Sequence, residues 1–151
     1  MAVLTINLGK KEPRSLKNDL AFGRANEKAI VLVLNKAFNT EFISTSEKYK
    51  TNFYPYDFEN DDKVFVEYKS RRNTYSAYPT TLIPKSKTEV SGYSKYILCF
   101  GFTDGTYFIE YDKERFSKYQ IKKISTFRAG INDKPKDHYL IPIEDLTKIE
   151  C

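Results

Sequence analysis

The sequence feature that most restricts the fold is the run Tyr96-Ile97-Leu98-Cys99-Phe100, in which five consecutive residues are apolar. Side chains alternate between the two faces of a strand, so this run predicts a strand that is covered on both faces. Such a strand lies at the centre of a sheet, with other elements packed on either side. The run therefore predicts an α/β fold with a central mixed β-sheet flanked by helices.

Hydrophobic periodicity predicts one long helix before the sheet. Between residues 15 and 38 apolar residues recur at three- and four-residue spacing, with Ile30 and Leu34 on one stripe, and Ser15 or Asn18 is the expected N-cap. Shorter runs with strand character follow at residues 41–44, 53–58, 63–69, 94–102, 106–111, 121–127 and 138–141. A short helix is predicted at residues 114–119.

Composition limits the functional classes. The 25 Lys and Arg residues exceed the 20 Asp and Glu residues, and the net charge of +5 favours a polyanionic partner such as DNA. Two cysteines cannot build a disulfide framework or a zinc cluster, so an intracellular setting is the simpler interpretation. No apolar segment approaches the roughly 18 residues that span a bilayer, and we expect no membrane association. The absence of a linker-like stretch predicts one domain over residues 1–151.

Acidic and basic side chains converge in two neighbouring strand segments. Alternation along the second segment puts Glu67 and Lys69 on the same face. If residues 60–62 form a hairpin loop, Asp57 lies opposite Phe65 and diagonal to Glu67, about 7–8 Å away. Magnesium prefers hard oxygen ligands, and a nearby cation suits a phosphate group. These residues therefore predict a metal-dependent phosphodiesterase site.

The acid-x-lysine pattern occurs twice, because Asp61 and Lys63 also match it. Asp61 falls in the predicted turn, where water would surround its carboxylate. Glu67 and Lys69 lie inside an apolar run instead, so we choose this pair as the candidate site. An ordinary ion pair on a half-exposed strand is the alternative interpretation.

These residues and their order resemble the PD-(D/E)xK nuclease superfamily, in particular its small resolvase-like and viral members. The similarity consists of a helix with an acid, Glu27, followed by a β-meander that contains Asp57 and Glu67-x-Lys69. One residue separates Pro55 from Asp57, so the literal Pro-Asp pair of the family is missing. The resemblance implies a restriction-endonuclease-like core.

The resemblance also implies a role for each residue. Asp57 and Glu67 would hold Mg²⁺, for which Mn²⁺ can substitute, while Lys69 would orient or activate water. Glu27 would be a further carboxylate from the helix, or alternatively the partner of a basic residue next to it. The implied activity is endonucleolytic hydrolysis of DNA, with branched DNA as one candidate substrate. A homodimer would supply one site for each strand.

Several basic residues that follow the candidate lysine are predicted to contact backbone phosphates. They are Arg71, Arg72, Lys85 and Lys87. A solvated basic surface is the alternative for the two lysines. His138, the single histidine of the sequence, is expected to be structural. Four tyrosines near these segments are expected to pack in the core rather than stack on bases: Tyr54, Tyr56, Tyr75 and Tyr78.

Two other functions stay open on the sequence. The first alternative is a binding protein that keeps the fold without turnover. Its DNA binding should be salt-sensitive and should not change in Asp57→Ala. A viral or phage accessory protein that binds another protein predicts no metal-dependent change in stability, because its acids would simply lie on the surface.

Overall fold

One long helix is followed by a series of short strands in the computed structural model, which describes residues 16–125, 127–128, 131–132 and 134–150, with side chains from 27 to 125 and from 134 to 150. The helices are α1 (Leu16–Phe38), α2 (Thr45–Lys48) and α3 (Lys113–Phe116), and 3₁₀ turns cover Lys85–Thr88 and Ile143–Asp145. The strands are β1 (Ile43–Ser44), β2 (Phe58–Glu59), β3 (Val64–Ser70), β4 (Thr80–Pro84), β5 (Lys95–Phe102), β6 (Gly105–Glu110), β7 (Gln120–Ile124), β8 (Phe127–Arg128), β9 (Ile131–Asn132), β10 (Lys136–Pro142) and β11 (Thr147–Lys148).

The larger sheet is mixed. Within the described residues it has six strands in the order β1-β2-β3-β5-β6-β11. Strands β3 and β5 run parallel, with Val64 beside Lys95 and Ser70 beside Gly101, whereas its other neighbouring strands are antiparallel. In the same part of the chain, β4, β10 and β7 form a second, antiparallel sheet in that order. The predicted α/β class with a central mixed sheet is confirmed.

Strand β5 has one face covered by α1, as its apolar run predicts. Ile97 of β5 and Val66 of β3 are buried there with Ile30 and Leu34 of the helix. The helix stripe at three- and four-residue spacing therefore faces the sheet. Burying side chains of this size contributes about 1.5–3 kcal/mol each, so this layer fixes the helix against β3 and β5.

The opposite face of β5 packs against the second sheet and α3. Leu98 of β5 and Phe65 of β3 share a buried cluster with Ile83 of β4, Ile141 of β10 and Phe116 of α3. Strand β4 was not predicted, although its residues alternate between half-buried and buried positions as a one-faced strand should. A sheet and a short helix thus cover the face where a further helical layer was expected.

The hairpin that joins β2 to β3 differs from the expected one. Asn60 N donates to Val64 O at 3.2 Å and Asn60 Oδ1 accepts from Val64 N at 2.9 Å, so the loop comprises residues 61–63 and not 60–62. Lys63 closes the loop with φ of 59°, a left-handed conformation that a three-residue loop needs at its last position. Glycine usually marks that position, and its absence explains why the sequence misplaced the loop.

Other sequence predictions were wrong in detail. Within the predicted strand at 53–58 only Phe58 is in a strand, β2, while upstream Tyr54 stacks on Tyr49 and Tyr56 stacks on Phe65. The predicted helix at 114–119 is shorter, and the predicted strand at 121–127 ends at Ile124. Asn18 lies inside α1 and is not its N-cap, while Ser15 is outside the described residues.

Among the described residues, no helix is both long and apolar enough to cross a membrane.

Candidate active site

Strand β3 carries the acid and the amine that the sequence singled out. Alternation puts Phe65, Glu67 and Lys69 on the face that looks toward the second sheet, while Val66 and Tyr68 face α1. Glu67 is 2% exposed, and its register neighbour on β5 is a fully buried leucine. The carboxylate is therefore held rigidly at the centre of a packed strand.

Two ammonium groups neutralise one oxygen of this buried carboxylate. Lys69 Nζ lies 3.2 Å from Glu67 Oε2, and Lys87 Nζ lies 3.8 Å from the same atom. The other oxygen, Glu67 Oε1, is buried and has no hydrogen-bond partner. Because leaving a buried acceptor unpaired is costly, an unpaired carboxylate oxygen beside two cations is unusual for a purely structural ion pair.

Asp57 lies just before β2, beside β3. The register pairs Phe58 with Val66 and Glu59 with Phe65, and the charge of Glu67 acts on the Asp57 carboxyl group. The prediction that Asp57 lies opposite Phe65 was wrong, because the hairpin loop is displaced and Glu59 takes that place. The two carboxyl groups nevertheless lie close enough for their charges to interact.

Hydrogen bonds to β3 and α2 fix Asp57 although it lies outside regular strand structure. Its backbone N–H donates to Val66 O at 2.9 Å, and its Oδ2 accepts from the Tyr68 N–H at 2.7 Å. The buried Thr45, the first residue of α2, donates through its N–H to Asp57 O at 2.9 Å and through Oγ1 to Tyr56 O at 2.5 Å. The main chain and side chain of Asp57 therefore continue the pairing with β3 by one residue.

The electrostatic environment of Asp57 favours its protonated form. Burial of the carboxyl group and then the negative charge of Glu67 raise the pKa of Asp57 to about 8, while the hydrogen bond from Tyr68 N–H opposes the shift. Glu27 raises this pKa further and Lys69 lowers it. Two acids whose charges repel at a buried position are typical of a site built to receive a cation.

Glu27 approaches the site from α1. Its charge acts on Asp57, and it lines a cleft of about 540 Å³ together with Ser44, Ser46 and Phe58. The helix therefore delivers the third predicted acid to the end of the sheet where β2 begins. Glu27 is half-buried there.

Asp57 and Glu67 fit a divalent cation by the chemistry of their donors. The orphaned Glu67 Oε1 is a hard oxygen in need of a partner, and the carboxyl group of Asp57 lies close enough for its pKa to respond to the charge of Glu67. In the part of the chain that the structure describes, no group of three or more Asp, Glu, His or Cys side chains is placed to hold a metal ion by itself. Magnesium commonly binds one or two carboxylates and completes its coordination with water and substrate phosphate, which is the arrangement that these two acids allow.

The predicted phosphate-binding residues lie in different environments. Lys87 belongs to the 3₁₀ turn after β4 and reaches Glu67, a placement that the sequence did not predict. No sequence pattern links the two residues, because the contact depends on how β4 folds over β3. Lys85 is half-buried in the same turn, and Arg72 is exposed.

Arg71 makes contacts within the fold. Its Nε donates to Thr81 Oγ1 at 3.2 Å, its second terminal nitrogen donates to Leu82 O, and its guanidinium lies 5.4 Å from the ring centre of Phe100. Burial lowers the pKa of Arg71 to about 10. The side chain therefore ties the end of β3 to β4, and its predicted phosphate contact stays a prediction.

The remaining sequence candidates are mostly structural. His138 is buried in β10, with Nδ1 2.8 Å from Lys136 O. Tyr56 belongs to the core, and Tyr54 and Tyr75 pack against it, so the predicted core packing is confirmed for these three. It was wrong for Tyr78, which is 62% exposed.

Comparisons with known proteins agree with this geometry. The model of a family described as "Phage putative PDDEXK endonuclease" matches residues 17–130. The match covers most of the chain and includes Asp57, Glu67 and Lys69. A search of curated proteins and a search of solved structures each returned no match.

Proposed function

The chain belongs to the phage PDDEXK endonuclease family, and from this membership and the site geometry we propose that it is a Mg²⁺-dependent endonuclease that hydrolyses phosphodiester bonds in DNA. The observation that carries the proposal is the buried Glu67, whose Oε2 pairs with Lys69 at 3.2 Å while Oε1 has no partner. A carboxylate in this state offers one oxygen to a metal ion and keeps a cation beside it for the phosphate.

Asp57 and Glu67 are the residues that would hold Mg²⁺, and Mn²⁺ can replace it because both ions accept carboxylate oxygens in octahedral sites. The bound ion would supply Lewis acidity toward a phosphate oxygen and toward water. To hold the ion, Asp57 would lose the proton that its raised pKa favours. Metal binding would therefore be linked to release of a proton from Asp57.

Lys69 provides positive charge at the reacting phosphate. Its position on the face of Glu67 is set by β3, so its ammonium group is fixed before substrate arrives. A preorganised cation stabilises the negative charge that develops on phosphoryl oxygens during attack by water. Glu27, whose charge acts on Asp57, would help to orient the attacking water or a second ion.

DNA is the proposed polyanion. The net charge of +5 supports this choice, and Arg72 and Lys85 are candidates for contacts with its backbone away from the site. We propose a homodimer for cleavage of both strands, since we identify one such site in the described part of the chain and duplex DNA presents two antiparallel strands. Sedimentation of the protein with and without duplex DNA tests this assembly.

The activity is tested by incubating labelled substrates with about 5–10 mM Mg²⁺ or Mn²⁺. The set comprises supercoiled plasmid, a four-way junction, a flap, single-stranded DNA and single-stranded RNA. The account predicts metal-dependent cutting of DNA, and the preferred member of the set identifies the substrate structure. Lys69→Ala should reduce cutting by about 100-fold or more, whereas Lys118→Ala, which removes an exposed lysine from the turn after α3, serves as the charge-matched control.

Each other outcome favours a different function. Salt-sensitive DNA binding without cutting would support the alternative in which the chain is a binding protein that keeps the fold without turnover. Cutting of RNA alone replaces the proposed substrate. If the protein neither binds nor cuts nucleic acid, the remaining alternative is an accessory protein that binds another protein.

A further inference from the structure

We propose that Lys87 is a second catalytic cation of the site and contacts the scissile phosphate together with Lys69. The proposal rests on the proposed nuclease function and deepens it. Its basis is the placement of Lys87 Nζ, 3.8 Å from Glu67 Oε2, from an element that is separate from β3. Lys87 thus converges on the same point as Lys69 from the opposite layer of the fold.

The backbone of Lys87 is anchored independently of its side chain. Tyr96, fully buried in β5, donates its hydroxyl to Lys87 O at 2.7 Å. Thr88 Oγ1 donates to Lys85 O at 2.7 Å and closes the 3₁₀ turn. These bonds hold the turn over β3, so the ammonium group of Lys87 reaches Glu67 from a fixed base.

The charge balance of the cluster leaves Lys87 available for an anion. Lys69 is the nearer partner of Glu67, at 3.2 Å, and one ammonium group is sufficient to neutralise one carboxylate. Lys87 adds a second positive charge at a longer distance, and its side chain is 34% exposed. The two partly exposed lysines therefore present surplus positive charge beside the buried Glu67, which suits a phosphodiester better than it suits a closed ion pair.

A divalent cation on Glu67 would make Lys87 still more available to an anion. The ion would compete with the lysines for the carboxylate and would repel both of them, because all three carry positive charge. A phosphate that bridges the ion and the two ammonium groups would relieve that repulsion. Lys87 is thereby assigned to the reacting phosphate, and not to the more remote backbone contacts that its place in the sequence indicates.

The test compares wild type with Lys87→Met, which keeps most of the aliphatic stem, and with Lys87→Arg, which keeps the charge. Lys118→Ala is the charge-matched control. Single-turnover cutting rates and KM are measured on the best DNA substrate, and Mn²⁺ affinity is measured by titration of the protein without DNA. Thermal unfolding of each variant checks that the fold is intact.

The proposal predicts that Lys87→Met lowers the maximal rate by about 10- to 100-fold with a much smaller change in KM, since the interaction forms in the transition state. Lys87→Arg should recover part of the rate. Without DNA, Lys87→Met should bind Mn²⁺ about 3- to 10-fold more tightly, because a neighbouring positive charge is lost. Lys118→Ala should change none of these quantities.

Three results would overturn the assignment. An unchanged maximal rate with a raised KM would make Lys87 a backbone contact. Unchanged Mn²⁺ affinity would remove it from the neighbourhood of Glu67. A wild type that cuts nothing contradicts the nuclease function itself, whereas a cutting wild type with an equally active Lys87→Met contradicts the role of Lys87 alone.

Discussion

The carboxylate of Asp57 accepts a hydrogen bond from the backbone N–H of Tyr68, with Oδ2 and the nitrogen 2.7 Å apart. Through this bond a residue outside regular secondary structure is held against β3, next to Glu67. The bond involves Oδ2, which would leave Oδ1 for the proposed metal ion. Asp57 is thus both the last link of the β2–β3 pairing and a candidate ligand.

Stability without metal should depend on pH through Asp57. Its folded pKa of about 8 lies above the ordinary value of 3.8, so between these values the folded chain binds the proton more tightly than the unfolded chain does. The stability that this proton confers is present at pH 4 and is lost as pH rises through about 8. Asp57→Asn cannot ionise and removes the effect.

Thermal unfolding of metal-free protein from pH 5 to 8.5 checks this expectation. The Tm of wild type should fall relative to that of Asp57→Asn by several degrees, on the order of 5 °C. A constant difference between the two proteins across the range would show that Asp57 is not protonated in the fold.

Divalent metal should stabilise the protein through Glu67. A ligand at about 100 times its Kd adds roughly 2.7 kcal/mol to the free energy of unfolding, so Mn²⁺ should raise the Tm of wild type by several degrees. Glu67→Gln should abolish this increase, and Asp61→Asn should retain it because Asp61 is an exposed turn residue. Equal increases in all three proteins would place the metal elsewhere.

Arg71→Ala should destabilise the fold by about 2–4 kcal/mol, since it removes a buried guanidinium and leaves its acceptors on β4 without their donor. Arg72→Ala, at the neighbouring exposed position, should change stability by less than about 1 kcal/mol. Urea unfolding of both variants measures the difference. Arg72→Ala should instead weaken DNA binding and reduce its salt dependence. A stable Arg71→Ala with lost DNA affinity would restore the phosphate contact that the sequence predicts.

Gly101 is required by the ring packed beside it. A Cβ at this position would fall on the hydroxyl and outer ring atoms of Tyr68, which is buried between β3 and α1. Gly101→Ala should therefore cost about 1–3 kcal/mol of stability. Tyr68→Phe removes the hydroxyl, so the double variant should recover part of that loss. Additive effects of the two substitutions, measured by urea unfolding, would contradict the contact.

Alternation along β3 was sufficient to predict from sequence that the candidate pair shares a face. A strand period of two gives Glu67 and Lys69 the same face whatever the partners are, and the apolar run of β5 gives a strand with both faces covered. Asp57 was predicted near Glu67, but the register of the hairpin was wrong. The cause is Lys63, which adopts a left-handed conformation without the glycine that usually signals it.

Long-range packing determined what sequence could not predict. Lys87 lies in the site because β4 and its 3₁₀ turn fold over β3, and the hydrogen bond from Tyr96 to its carbonyl has no sequence signature. Arg71 looks like a phosphate contact in sequence because it follows the candidate lysine. Its actual partners, Thr81 and Leu82, are on a strand that sequence did not predict.

Asp57 and Glu67 are proposed to form the metal site of an endonuclease. The most direct test is single-turnover cutting of the preferred DNA substrate in Mg²⁺ by wild type, Asp57→Asn, Glu67→Gln and Asp61→Asn, all shown to be folded at the assay temperature. The account predicts that wild type and Asp61→Asn cut at similar rates, and that Asp57→Asn and Glu67→Gln each lose about 100-fold or more. Cutting by Asp57→Asn and Glu67→Gln at the wild-type rate would contradict the claim.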